Sequence, residues 1–368
     1  MTEEGAYFVK RKPDCVSAAE ELRELRGRKK PVYIYGAEIT AERVKRRLEE
    51  NGIDICGYFV DNEYYKGKGE GEYPIFSFDY VMGLPEADVV LGFYEYGIAY
   101  SKIEKGEFGN NGKVFYLNPE PLFDYEYYLA NRERFHEAYD LLSDDLSRDT
   151  MRAYMDNRMN GVLRPLLNCY MPGQYFIPEM HFSSDEVYID SGMYDGDTIV
   201  EFIRHCPNYA RIIGFEPDEG NLERFRLRNL PMEGLEVHSA GVWSEEDVLC
   251  FSADGATFSK IAESGDASLR VMSIDSLEIG KPVTFIKMDI EGSELEALKG
   301  ARETIRRDMP KLAICVYHRK EDMITIPQYI RSLEPEGRSY AFYLRHHGLC
   351  GNETVLYAIP AEEGEEAC

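Results

Sequence analysis

The sequence predicts an α/β protein built on two open, mostly parallel, doubly wound sheets, the larger in the C-terminal half. Three observations carry that expectation. Short apolar runs alternate with longer charged stretches of helical period, as strand and helix must alternate when a parallel sheet is covered on both faces. Several of these runs stop at an acid: Val187–Ile189 at Asp190, Ile212–Phe215 at Glu216, and Val283–Met288 at Asp289. The last two runs, Tyr340–Leu344 and Thr354–Ile359, are joined by His346-His-Gly-Leu-Cys-Gly-Asn352. That loop suits a closing antiparallel hairpin on a sheet that is otherwise parallel.

Taken in order, Ser17-Ala-Ala-Glu20 has the form of a capping box and opens a charged helix to about Arg28. Pro31–Gly36 reads as a strand ending in glycine, Ile39–Asn51 as a helix, and Asp54–Val60 as a strand ending in Asp61. Asp88–Gly92 and Lys113–Leu117 read as further parallel strands. Together they make a small Rossmann-like α/β domain over residues 1–120. Its first loop is Gly36-Ala-Glu-Ile-Thr-Ala41, with Glu38 where a second glycine would be wanted. A charged side chain there opposes a pyrophosphate. The domain reads as a recognition or scaffolding module, and the alternative is a nucleotide or nucleotide-sugar site using Gly36 and Asp61. Residues 121–184 read as a helical connector, with helix over Tyr125–Tyr128, Phe135–Leu142 and Thr150–Met159 and aromatics spaced for packing. Tyr175, near its end, is placed at the border of the site. Residues 185–360 form the larger domain. Its Gly220–Asn229 and Met323–Leu333 stretches read as helices, and Leu235–Ala240, Val248–Phe251, Val271–Ile274 and Leu312–Tyr317 as strands. Residues 361–368 are an acidic tail expected to be disordered.

Val187-Tyr-Ile-Asp-Ser-Gly-Met-Tyr-Asp-Gly-Asp-Thr198 is the most informative stretch. It reads as a buried strand, an acid, a tight loop from Gly192 to Gly196, and a helix from Asp197. Glycine there admits a ligand close to the backbone, which a Cβ would block. A dinucleotide site asks for Gly-x-Gly-x-x-Gly; the chain has Asp190-x-Gly192-x-x-x-Gly196 instead. An acid beside the loop repels a pyrophosphate and suits S-adenosylmethionine (SAM), which has no phosphate and carries an ammonium and a sulfonium. Glu216, at the end of the neighbouring strand, is placed to hold the two hydroxyls of a ribose. Asp190, Gly192, Tyr194, Gly196, Asp197, Thr198 and Glu216 are therefore the expected cofactor residues, with Asp289 beside the methyl donor. The plain alternative is a glycine turn that binds nothing; Glu216 and the downstream motif weigh against it.

That motif is Val283-Thr-Phe-Ile-Lys-Met-Asp-Ile-Glu-Gly-Ser-Glu-Leu-Glu-Ala-Leu-Lys-Gly300. A strand runs into a helix, with Ser293 and Glu296 as a second capping box and Leu295, Leu298 and Ile305 as its apolar side. Asp289 and Glu291 project from the strand end. They face the cofactor and the acceptor, or else only cap the turn and pair with Lys287. His318, just past a strand end in Val316-Tyr-His-Arg319, is the expected general base, since imidazole titrates in the useful range. His346 is the second candidate. Arg345 is expected to bind an acidic or polar acceptor, with Glu291 and Tyr175 also on the acceptor side. A divalent ion held by Asp289 and Glu291 is permitted but not required.

These stretches, in the order Val-Tyr-Ile-Asp-x-Gly-x-x-x-Gly-Asp-Thr, Gly-Phe-Glu-Pro-Asp, Ser-Ile-Asp-Ser-Leu and Ile-Lys-Met-Asp-Ile-Glu-Gly-Ser-Glu, resemble the FkbM-type SAM-dependent methyltransferases over about residues 185–360. The resemblance implies a class I methyltransferase sheet and O-methylation of a hydroxyl, often on a sugar or secondary metabolite. It maps the family's SAM loop onto Asp190, Gly192, Gly196 and Asp197, and its ribose acid onto Glu216. The chain departs from the family at Ser191-Gly-Met-Tyr194, where Gly-Ala and a polar residue are more usual, which bears on how the methionine tail is held.

Bulk composition narrows the partners. The 368 residues carry a formal net charge of −25, which repels nucleic acid and anionic membranes. Eight cysteines without a Cys-x-x-Cys pair argue against a disulfide framework or a zinc site and for a reducing cytoplasm. No apolar run reaches membrane-span length, and nothing at the N-terminus resembles a signal peptide. The expected partner is a small-molecule or glycan acceptor, with oligomerisation left open. The competing readings are a nucleotide-binding oxidoreductase, which lacks its glycine fingerprint in both halves, and a non-catalytic SAM- or nucleotide-binding scaffold in glycan assembly.

Overall fold

The computed structural model describes residues 18–67, 73–92, 102, 105–109, 112–115, 125–160, 164–230, 233–251, 267–348 and 351–361. Ser17 of the first capping box, the end of the Lys113–Leu117 strand and the acidic tail lie outside the described residues. The chain divides into two compact units. One comprises Met1–Ala130, Met151–Tyr170 and Gly348–Asn352, and the other Asn131–Thr150, Met171–His347 and Glu353–Cys368.

The first unit is Rossmann-like. Strands β1 (Val32–Tyr35), β2 (Gly57–Val60), β3 (Ile75–Ser77), β4 (Asp88–Leu91) and β5 (Val114–Phe115) form one sheet in the order β3-β2-β1-β4-β5, every pair parallel. Strand β3 is absent from the sequence reading, because three residues on an edge give too little periodicity to register. The Ile39–Glu50 helix buries Ala41, Val44 and Leu48 against Ile34 and Val90, the i, i+3, i+7 spacing of a single apolar stripe. At the strand ends, Tyr35 stacks on Phe59 with ring centroids 4.7 Å apart. Its hydroxyl donates to Asp61 Oδ1 at 2.8 Å, and Lys102 Nζ meets the same oxygen at 2.8 Å. Asp61 is thus already engaged by two partners from its own unit, whereas a nucleotide site would need it for ribose.

The second unit holds β6 (Val187–Ser191), β7 (Arg211–Phe215), β8 (Leu235–His238), β12 (Phe285–Met288), β13 (Lys311–Cys315), β14 (Tyr340–His346) and β15 (Thr354–Pro360) in one sheet of order β14-β15-β13-β12-β6-β7-β8. β15 runs antiparallel to both β13 and β14 and closes the hairpin foreseen from the sequence. The remaining pairs are parallel. Strand order runs outward in both directions from β6, so the crevice between the C-terminal ends of β6 and β12 is the topological switch point. Burial explains the reading of these strands: β6 and β12 are buried at every position, as central parallel strands require. Tyr188 and Phe285 stack across them at 4.7 Å.

Two local expectations are corrected. The runs at 248–251 and 271–274 do not join the large sheet. Strands β10 (Asp247–Phe251) and β11 (Ala267–Met272) pair antiparallel, and with β9 (Gly241–Val242) they make a separate three-stranded sheet. The helix after Asp289 does not start with a capping box: Ser293 sits at φ −97°, ψ 4° and makes no side-chain cap. The neighbouring Glu294 turns inward and accepts from Ile290 N at 3.0 Å instead. Among the described residues, no helix is long and apolar enough to cross a membrane.

Candidate active site

Two sets of groups meet at the switch point. The first is the loop after β6. Gly192 has φ +80°, and a Cβ on it would lie 2.0 Å from the carbonyl oxygen of Asp289. Only glycine fits there, because the backbones of β6 and β12 converge immediately beyond the sheet. The N–H groups of Gly192 and Met193 both donate to Phe215 O at 3.0 Å. Gly196, at φ +82°, begins the Asp197–His205 helix and lies against the Phe225 ring. Tyr194 also adopts a left-handed backbone, at φ +50°, and its N–H donates to Glu216 Oε2 at 3.0 Å. Glu216 further accepts from Asp218 N at 2.8 Å and Asn221 Nδ2 at 3.3 Å. Burial pushes its carboxyl up, and these three donors oppose the shift. A carboxylate offers about four lone-pair sites, so Glu216 is fixed in orientation with acceptor capacity left over.

Asp190 is placed differently from expectation. It is fully buried, takes a hydrogen bond from Thr198 Oγ1, and lies 3.0 Å from Lys287 Nζ. Its charge is met inside the protein by a lysine that is itself buried. Lys287 therefore forms its ion pair with Asp190 rather than with Asp289 or Glu291, and it donates to Gly192 O at 2.6 Å. Asp197 is exposed, and its Oδ1 accepts from Thr198 N at 2.8 Å.

The second set surrounds Asp289. Tyr175 Oη donates to Asp289 Oδ2 at 2.7 Å, and Tyr317 Oη to Asp289 Oδ1 at 3.2 Å. Tyr317 also reaches Glu353 Oε1 at 3.4 Å, and Gln174 Nε2 donates to Glu353 Oε2 at 2.6 Å. His318 lies among three acids: Nδ1 is 2.8 Å from Glu294 Oε1, and Nε2 is 3.5 Å from Asp289 Oδ1 and 3.7 Å from Glu291 Oε2. Burial lowers the affinity of His318 for a proton, but the Glu294 bond, reinforced by Asp289 and Glu291, outweighs it and raises the pKa to about 9. For Asp289 burial is likewise outweighed, chiefly by Lys287, and its pKa is lowered. Glu291 and Glu353 are pushed up, first by burial. Tyr175, Glu291 and Glu353 all hold left-handed backbones, at φ +69°, +55° and +65°. Such conformations in non-glycine residues cost on the order of 1–3 kcal/mol each and concentrate at functional sites.

The structure thus brings together Asp289, Glu291, His318 and Tyr175 on one side of the switch point, and Gly192, Tyr194, Gly196 and Glu216 on the other. It does not bring Arg345 and His346 with them. Arg345 is 1% exposed, and its guanidinium is bonded to Asp144 Oδ2 and Glu179 Oε1 at 2.6 Å each and to Ser147 Oγ at 2.7 Å. A cation so paired has no face to offer an acceptor. His346 is sealed within the β14–β15 hairpin with Nδ1 2.9 Å from Thr354 Oγ1, so it is too enclosed to take a proton from a substrate. Glu294, Tyr317, Glu353 and Lys287 are site residues that the sequence reading missed. Only Lys287 carried a local signal, a lone charge inside an otherwise apolar central strand.

A sheet of this order, with a glycine loop after its first strand and an acid at the end of the second, is the class I methyltransferase architecture. Residues 190–348 match the model of the methyltransferase FkbM domain. The chain is similar in structure to methyltransferase FkbM from Methylobacillus flagellatus KT, with a TM-score of 0.72 and 25% identity, over 94% of this chain and 95% of that one. It is also 27% identical to a putative methyltransferase from Jannaschia sp. (strain CCS1), over 29% of this chain and 46% of the relative. It therefore spans about half the length of that curated relative.

Proposed function

We propose that this protein is a SAM-dependent methyltransferase acting on a hydroxyl of a sugar, glycan or secondary metabolite. The observation that carries the proposal is the meeting, at one switch point, of a glycine-bounded loop and a fixed carboxylate with a histidine set among acids. SAM fits the first set: Gly192 and Gly196 let the loop turn tightly against Asp289 and Phe225, and Glu216 keeps acceptor capacity for a ribose. It brings a methyl group already activated on a sulfonium.

The chain's own residues then have to orient the acceptor, exclude water and remove a proton. Asp289, held by two tyrosine hydroxyls, and Glu353, held by Gln174, present oxygen acceptors that suit a hydroxyl-bearing molecule. His318 takes the acceptor's proton at Nε2, since Nδ1 is committed to Glu294. A base so placed contributes about 10²–10⁴-fold. The N-terminal unit reads as a recognition module, and the cysteine pattern favours a reducing compartment such as the cytoplasm.

Isothermal titration should show SAM binding to the wild-type chain that falls by at least about tenfold in Glu216→Ala. Mass spectrometry should show a methyl gain on one member of a glycan and metabolite panel. No SAM binding by the wild type would end the proposal, and SAM binding without turnover on any acceptor would favour the scaffold reading. A second reading has its own observation: donor atoms of Asp289, Glu294 and His318 lie within 4.8 Å of one another, a spacing that suits a divalent ion. Activity that survives EDTA excludes an essential ion at this position.

A further inference from the structure

We infer that Lys287 is a positioning residue for the cofactor loop, acting through the carbonyl of Gly192 and not merely as a counter-ion for Asp190. The inference rests on the SAM reading above. Lys287 lies on β12, the strand across the crevice from the loop, and only 2% of its side chain is exposed. Its ammonium touches three groups: Gly192 O at 2.6 Å, Asp190 Oδ1 at 3.0 Å, and the face of the Tyr175 ring at 5.1 Å. The first contact is the shortest, and it is the one that counter-ion duty does not require.

On that side Asp289 N also donates to Ser191 O at 3.1 Å, one residue before the loop, but the Gly192 carbonyl itself is held by Lys287. Gly192 is at φ +80°, a conformation that glycine leaves easily. Its N–H is tied to Phe215 O on β7, and its carbonyl to Lys287 on β12. The residue is thus stretched between the two strands that flank β6, and the path of the chain through Met193 and Tyr194 toward Glu216 follows from that anchoring. The same ammonium packs on Tyr175, whose hydroxyl holds Asp289. One buried charge therefore touches both the cofactor side and the acceptor side of the crevice. It also gives Asp190 a new role: the acid holds the lysine in place instead of meeting the charge of the cofactor.

The test uses three variants of the full chain, with S-adenosylhomocysteine as the titrant and circular dichroism as a fold control. Losing one charge-assisted hydrogen bond should weaken binding by roughly 10–100-fold in Lys287→Met. Asp190→Asn, whose side-chain oxygen can still accept from Lys287 Nζ and so keep it on Gly192 O, should lose far less. The charge-neutral pair Lys287→Met/Asp190→Asn decides the matter and stands in if the single lysine variant does not fold. It should stay at least about tenfold weaker than wild type. Steady-state kinetics should place the defect mainly in KM for SAM rather than in KM for the acceptor. Wild-type affinity in the double variant, or in a folded Lys287→Met, would overturn the inference and leave Lys287 a counter-ion only. Failure of the wild type to bind the ligand at all would instead refute the SAM reading.

Discussion

The pKa of His318 makes the proposed chemistry strongly dependent on pH. The imidazole acts as a base only when neutral, yet its surroundings hold it at about 9. At pH 7 about 1 molecule in 100 then carries the neutral ring, and at pH 8 about 1 in 10. The rate constant kcat should rise about tenfold per pH unit between 7 and 8 and reach half its plateau near pH 9. His318→Gln should therefore lower kcat by about 10²–10⁴-fold at pH 9 but by about fiftyfold less at pH 7, where most of the wild type is idle. Glu294→Gln removes the largest of the raising influences and should move the rise toward acid. The assay is single-substrate kinetics at saturating SAM from pH 6 to 10, read as S-adenosylhomocysteine release. A wild-type profile flat from pH 7 to 9, or one unchanged by Glu294→Gln, would show that His318 is not the titrating base. Stability should run the other way. The folded-state pKa lies above the unfolded value of 6.5, so the stabilising contribution, about 3 kcal/mol, is fully present below pH 6.5 and is lost as pH rises through 9. Catalysis and stability are thus set against each other by one hydrogen bond.

Other outcomes follow from the same geometry. Arg345→Met should lower stability by about 2–4 kcal/mol in urea unfolding, because Asp144 and Glu179 lose their shared cation; at a temperature where it stays folded, KM for the acceptor should be unchanged. A large acceptor defect in that folded variant would restore Arg345 to the site. Asp322 has a pKa raised to about 8, first by burial and then by Glu294. Its stabilising contribution is present below the unfolded value of 3.8 and lost as pH rises through 8. Asp322→Asn can still accept the Arg319 N–H, so its advantage in Tm should grow from pH 5 to 8 and level off above. A constant difference across that range would show that Asp322 does not titrate there.

Much of the fold was legible in the sequence because it rests on local chain geometry. Apolar runs such as Val187–Ile189 and Val283–Met288 mark buried parallel strands whatever surrounds them, and the observed β6 and β12 lie on them. The glycines at 192 and 196 announce positive φ, and both adopt it. The hairpin of β14 and β15 was readable from two β-rich runs and a glycine-bearing loop. Carboxylates at strand ends could be assigned to the crevice because strand direction alone places them there.

Tertiary structure alone decided which charge each of those groups would meet. Asp190 and Lys287 stand 97 positions apart in the chain and become neighbours only because β6 and β12 pair in parallel with Asp190 opposite Lys287. Tyr175 reaches Asp289 across 114 positions, and Arg345 is drawn to Asp144 across 201. No local pattern encodes such pairings, since a buried ionic group settles with whichever partner the topology brings within a few ångströms, and outside water an unpaired charge is too costly to keep. The same competition turned Glu294 inward to His318 and left Ser293 without a cap. Residue type and spacing therefore located the crevice, and the closing of the sheet assigned the partners within it.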